Sequence, residues 1–189
     1  KCTQTGAHLV LDEIQCGFGR TGRPFAFEHF EVEPDHLCLG KALGGGMPMG
    51  ALVSSKEHLQ QFAHSPSLGH ITTFGGHPVP CAASAAASTL LQSTDWNRVE
   101  QVGQTIEVAM RGCAHVREVR RIGLYIAVEL ESSEAVNEVV QTAMQRGVLV
   151  FYFLSTPQAF RIAPPLNIND VDLNEALDTL IACIEQAHA

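Results

Sequence analysis

Leu9-Val10-Leu11-Asp12-Glu13 and Leu37-Cys38-Leu39-Gly40-Lys41 decide the fold. Each is a short apolar run that ends in charge. The first begins at His8 and the second is bounded downstream by glycines, so both read as buried strands. Gly50-Ala51-Leu52-Val53-Ser54 is a third strand candidate. Delivery of Asp12 and Lys41 at strand ends suits an open α/β sheet, whose ligands sit outside the carboxyl ends of strands. A plain ion pair between the two is the alternative. The glycines favour a ligand: Gly40 precedes Lys41 and Gly44-Gly45-Gly46 follows it. Such a run serves backbone at positive φ or in close approach to a ligand, and an ion pair needs neither. It is not a phosphate-binding Walker loop, which puts its glycines before the lysine and Ser or Thr after it.

Outward from these strands, residues 17–24 and 44–48 read as loops. Ser55 caps a polar helix over residues 56–63. Residues 64–77 form a further loop, and the small apolar run 78–92 is a helix that packs closely against a neighbour. Residues 97–113 form a helix with Val99, Val102, Ile106 and Met110 on one face. Residues 116–130 read as two strands or one bent strand around Gly123. Then follow a helix over 134–146 stopped by Gly147, a strand over 148–154, a short strand over 160–163, and a final helix over 171–186 behind Asn169-Asp170. Residues 1–93 are therefore expected to be part of a mostly parallel α/β domain, and residues 94–189 a small α+β domain.

The composition is that of a packed protein: 46% hydrophobic and 17% charged residues in a chain of 189. The net charge of −8 argues against nucleic acid or an anionic membrane as partner. No run is long enough to span a membrane, and none reads as a signal peptide. Six widely spaced cysteines form no CxxC pair and are expected to be reduced thiols of a cytoplasmic protein. A first residue other than methionine, so close to the first strand, predicts the loss of an N-terminal portion. The nine histidines show no HxxxH or HExxH spacing, so no metal site is expected. Glu129 and Glu131 lack the partner pattern of a glycosidase. Glu13 reads as a loop anchor or a residue behind the site.

The segment from Leu9 to Gly22, LVLDEIQCGFGRTG, resembles the segment of class III aminotransferases that holds the pyridine ring of pyridoxal 5'-phosphate (PLP). Glu28-His29, Pro34-Asp35 and LGKALGGGMPMGA (residues 39–51) continue the likeness, as do GHITTFGGHP (69–78) and RIAPPL (161–166). Together they span nearly all of the chain in the family's order, and they resemble aminotransferases more than aminomutases.

The resemblance implies the C-terminal half of a fold-type I transferase of the ornithine, acetylornithine or 4-aminobutyrate kind. Asp12 would keep the ring nitrogen protonated, which deepens the electron sink. Gln15 would hydrogen-bond the ring's phenolic oxygen. Ile14 would cover one ring face; core packing is its alternative. Lys41 would form the Schiff base and then move the proton, a double role that calls for a depressed pKa. Lys1 and Lys56 are the other lysines, at the chain start and in a polar helix. Thr73 would bind phosphate in the neighbouring subunit's site of a homodimer, the alternative being an ordinary loop before a helix. Position 77 is His where related sequences often have Asn.

Arg161 would engage a carboxylate in the substrate pocket; a surface salt bridge is the alternative. The implied reaction is ping-pong transfer of an amino group from an ornithine-like donor or another ω-amine to a 2-oxo acid. Alternatives are an aminomutase or decarboxylase on the same scaffold, or a non-catalytic fragment. Other cofactor contacts belong to the family's N-terminal half, so this chain alone is expected to hold PLP poorly.

Overall fold

The computed structural model describes residues 1–188, which form two units. The first comprises Lys1–Gly19 and Arg23–Thr94. The second comprises Arg20–Gly22 and the chain from Asp95 onward.

In the first unit a short helix α1 (Cys2–Thr5) precedes strands β1 (Val10–Asp12), β2 (His36–Leu39) and β3 (Ala51–Ser54). Helix α2 (Lys56–Gln60) and helix α3 (Pro78–Gln92) follow. Strand β1 runs parallel to β2, with Val10 opposite His36 and Asp12 opposite Cys38. Strand β3 runs antiparallel to β2, with His36 opposite Ser54 and Leu39 opposite Ala51. The sheet is therefore mixed, and connection length explains why. A parallel return needs a crossover of about a dozen residues or more. The long segment after β1 provides one. The glycine-rich segment after β2 instead folds into a 3-10 turn (Lys41–Gly44) and sends the chain straight back. The core here is small: Leu37, Leu39 and Leu43 pack with Leu11, Phe18, Phe25, Phe27, Met49 and Ala51. Val10, Leu52 and Val53 of the same sheet stay exposed.

The second unit is a four-stranded antiparallel sheet in the order β4-β5-β7-β6: β4 (Glu118–Ile122), β5 (Tyr125–Glu129), β7 (Ala159–Ile162), β6 (Phe151–Tyr152). Helices α4 (Trp96–Arg111), α5 (Ser133–Gln145) and α6 (Asp170–Gln186) complete it. Strands β4 and β5 are two strands of one hairpin, with Ile122 opposite Tyr125 and Gly123 turning at φ 56°. Of residues 148–154 only Phe151 and Tyr152 form strand, on an exposed edge that meets β7, and the Phe153 amide adds one bond to the Ala159 carbonyl at 3.2 Å. Val99, Val102, Ile106 and Met110 of α4 are buried with Leu173, Leu177, Leu180 and Ile184 of α6, Val136 and Val139 of α5, and Phe160 of β7. Each helix starts on a side-chain cap: Asp95 accepts from the amides of Asn97 and Arg98, Ser132 from Ala135, and Asn169 from Asp172.

One cation ties α4 to the hairpin. Arg121 donates to both Glu100 oxygens at 3.0 and 2.7 Å, to Glu107 Oε2 at 2.9 Å, and to the Gly123 carbonyl at 3.2 Å. Its side chain is 12% exposed. These hydrogen bonds from Arg121, above all else, hold the Glu100 and Glu107 carboxyls below their ordinary value of 4.5. Carboxyls depressed in this way stabilise the fold above the unfolded value and lose that contribution as pH falls through the folded value. We expect Arg121→Ala to cost about 2 kcal/mol near neutrality, discounted for the partial exposure of Glu100. The cost should shrink below about pH 4.5 as both carboxyls protonate. Urea unfolding followed by the fluorescence of Trp96, the only tryptophan and a residue packed on this core, reads both effects.

Candidate active site

The parallel pairing of β1 and β2 brings the two predicted reactive residues to one edge of the sheet. Asp12 is the last residue of β1 and sits opposite Cys38. The ladder continues one step, with the Glu13 amide donating to the Cys38 carbonyl at 3.0 Å. Lys41 follows β2 immediately beyond Gly40 and opens the 3-10 turn at φ 46°, a left-handed conformation. Neighbouring glycines lend the backbone that freedom; Lys41 adopts it with a full side chain, a strained geometry of the kind found at functional positions. Both Asp12 and Lys41 are exposed in this chain, not enclosed.

The loop after β1 is fixed by its own side chains. Asp12 Oδ1 accepts the Ile14 amide at 2.9 Å, which sets the carboxylate's direction. Ile14 is half-buried, and a Cβ at Gly40 would lie 3.3 Å from its Cγ2. Ile14 thus lies against the backbone that leads into Lys41. Gln15 is exposed. Glu13 is buried and accepts the amides of Ala26 and Phe27 at 2.8 and 2.7 Å, so it anchors the loop. Burial, with the Glu13 carboxylate second, raises the Cys16 thiol above its ordinary range.

Thr73 lies exposed in the segment before α3. Its neighbour Thr72 lines a 210 Å³ cavity with Pro48, Met49, Gly50, Gly76 and His77. The loop that follows Lys41 and the start of α3 therefore face one another. His77 is the N-cap of α3, its Nδ1 accepting the Val79 amide at 3.2 Å. That is the role an asparagine side chain fills at such a position.

Arg161 is on β7 in the second unit, half-buried and opposite Ala127 and Phe151. A second guanidinium accompanies it. Arg20 donates to the carbonyls of Pro164 at 2.6 Å and Leu124 at 3.3 Å. Burial lowers the Arg20 pKa, and the like charge of Arg161 lowers it further. The two guanidiniums feel each other's charge, so positive potential is concentrated here. Arg20 was not among the residues the sequence singled out. Its signal was a cation inside the stretch 17–22, with Arg23 beside it, in the loop that follows β1.

Known proteins match this arrangement along nearly the whole chain. The family model described as Aminotransferase class-III covers residues 1–184. The acetylornithine aminotransferase of Haemophilus ducreyi is 36% identical over 94% of this chain and 44% of its own length. The putrescine aminotransferase of Pectobacterium atrosepticum is 40% identical over 95% of this chain and 40% of its own. Among solved structures, an ornithine aminotransferase from Toxoplasma gondii, described with partial occupancy of PLP at its active site, superposes with a TM-score of 0.87. It is 32% identical and covers 99% of this chain and 45% of that one. The N-acetylornithine aminotransferase of Stenotrophomonas maltophilia gives a TM-score of 0.83 at 31% identity. The chain spans less than half the length of these relatives.

Helix α3 presses directly on the turn that carries Lys41. Gly45 has φ 57°, and a Cβ there would lie 2.6 Å from the Ala83 carbonyl oxygen and 3.2 Å from the Ala87 Cβ. The run of alanines and serines in α3 is what allows this approach. Gly45→Ala is expected to cost about 2–3 kcal/mol, from left-handed strain and overlap with a backbone oxygen. Faster hydrogen exchange at the α3 amides, with the second unit unchanged, is the expected readout.

Proposed function

The chain belongs to the class-III aminotransferase family, and from that premise we propose that it carries the PLP-anchoring part of an enzyme that moves an amino group from an amine donor to a 2-oxo acid. The donor class is ornithine- or acetylornithine-like, or another terminal amine, in keeping with the names of its relatives. The observation that carries the reading is the β1–β2 register, which brings Asp12 and the Gly40-Lys41 corner to the same sheet edge.

The donor set fits the cofactor: a carboxylate for a pyridine nitrogen, an amine for an aldehyde, and glycines on either side of the lysine. PLP, when bound, supplies the aldehyde and the electron-withdrawing ring. Asp12 would hold a proton on the ring nitrogen by placing negative charge beside it. Lys41 would hold the aldehyde group through its Nζ and, once free, would carry the proton to and from the substrate Cα. Ile14, from its place against Gly40, would cover a ring face, and Gln15 would donate to the ring oxygen. Thr73 would bind phosphate in the neighbouring subunit's site of a homodimer. The exposure of Leu68, Ile71 and Phe74 around it favours a covering partner. Arg161 grips a substrate carboxylate, and Arg20 reinforces its field. The exposure of Asp12 and Lys41 favours weak PLP binding by this chain alone. The activity is read as that of a longer or assembled protein in the cytoplasm.

Borohydride reduction of the protein with PLP, followed by peptide mapping, tests the assignment. The adduct is expected on Lys41 and absent in Lys41→Ala. Transamination by the complete protein with a panel of amino donors and 2-oxoglutarate should fall by about 10²–10⁴-fold in that variant. An adduct on another lysine, or full turnover without Lys41, overturns the reading.

A further inference from the structure

The opposite edge of the same sheet gathers three histidines, which local spacing gave no reason to group. His8 precedes β1, His36 opens β2, and His58 lies in α2 after β3. His36 is paired in register with Ser54, and Ser54 stands one helical turn before His58. One ring nitrogen from each histidine lies within 4.8 Å of those of the other two. His8 Nδ1 and His36 Nε2 are 2.9 Å apart, and the three ring centroids are separated by 4.3 to 5.0 Å. Asp12 and Lys41 sit at the far ends of β1 and β2, so this cluster is separate from the PLP edge.

We propose that His8, His36 and His58 form a binding site for a zinc-class divalent cation. The hydrogen bonding prepares one ring for that role. The Ser54 hydroxyl donates its single hydrogen to the Asp35 carbonyl at 2.7 Å. In its 3.3 Å contact with His58 Nδ1 the hydroxyl can therefore only accept. The His58 proton is thus held on Nδ1, and the Nε2 lone pair is free for a metal. A ligating histidine tied through its other nitrogen is the usual arrangement around such ions. Between His8 and His36 one ring donates to the other. Moving that hydrogen to the outer nitrogen of the same ring leaves two inward lone pairs.

The spacing is close to what an ion needs. Tetrahedral Zn²⁺ with nitrogen ligands at about 2.0–2.1 Å sets them about 3.3 Å apart. Small rotations of the imidazoles meet that requirement. The nearby Asp35 carboxylate accepts the Leu9 amide at 2.7 Å and adds negative charge behind the rings. Three neutral imidazoles suit zinc, nickel, cobalt or copper over calcium or magnesium, which take oxygen ligands. With three protein ligands, a fourth position is left for water or an exogenous group.

The test is titration of the chelator-stripped chain with Zn²⁺ alone by calorimetry, and with Co²⁺ for its visible spectrum. One ion per chain is expected, with cobalt bands of a nitrogen-rich tetrahedral site. His58→Ala and His36→Gln should each weaken binding at least tenfold while the circular dichroism stays unchanged. Asp12→Asn should bind zinc like the original chain, and PLP trapping at Lys41 is scored separately, so failure here does not bear on the transaminase reading. Absence of stoichiometric binding, or binding that survives both histidine substitutions in folded protein, overturns the proposal. If His36→Gln unfolds the chain, the half-buried but helix-borne His58 decides the matter by itself.

Discussion

The parallel register of β1 on β2 is the constraint from which the first unit follows. It is only three residue pairs long, Val10 with His36, Leu11 with Leu37 and Asp12 with Cys38. A slip by one residue would turn Leu37 and Leu39 out of the small core and send His36 and Cys38 into it. The same slip would part Asp12 from the Gly40-Lys41 corner. The register does not stand alone. Glu13 extends it by one backbone hydrogen bond and spends both carboxylate oxygens on the turn at Ala26–Phe27. A buried carboxylate is costly unless its oxygens are satisfied, so the turn and the strand stabilise each other.

Because strands have two ends, one register serves two kinds of chemistry. Charge collects where β1 and β2 finish, and imidazoles collect where they begin. The link is β3, whose antiparallel return puts Ser54 beside His36 and lets the helix after it present His58. The return is antiparallel because the glycine segment between β2 and β3 is too short for a crossover. Those glycines are also the ones that admit α3 to the back of the Lys41 turn. A single loop composition thus sets the strand direction and the helix approach together.

Much of this was readable from residue order, and the reasons differ by element. The runs ending at Asp12 and Leu39 are short, apolar and bounded by charge or glycine, so strand assignment needed only local information. Residues 78–92 begin with proline and continue in small helix formers, and the helix spans that range. The resemblance to aminotransferases came from ordered motifs, and the family match over residues 1–184 agrees with it. What stayed hidden was non-local. Arg20 draws its meaning from the carbonyls of Leu124 and Pro164, more than a hundred residues away. The histidine cluster arises from strand pairing across gaps of 28 and 22 residues, where helical spacing rules say nothing. The short β6 depended on which neighbour was available at a sheet edge, which a run of apolar residues does not reveal.

The three residues Arg20–Gly22 carry a consequence for any dissection of the molecule. They belong to the second unit, although the chain on either side of them belongs to the first. Arg20 supplies the carbonyl that receives the Leu124 amide at 2.9 Å, and Gly123 has no room for a Cβ because the Thr21 backbone would lie 2.2 Å from it. Severing the polypeptide after Thr94 would therefore not release a self-sufficient C-terminal piece. It would leave a hairpin missing its clasp, with an amide and a glycine notch facing water. The boundary between the halves is a loop of inheritance from one to the other, and the shortest excisable module must include a stretch taken from far upstream.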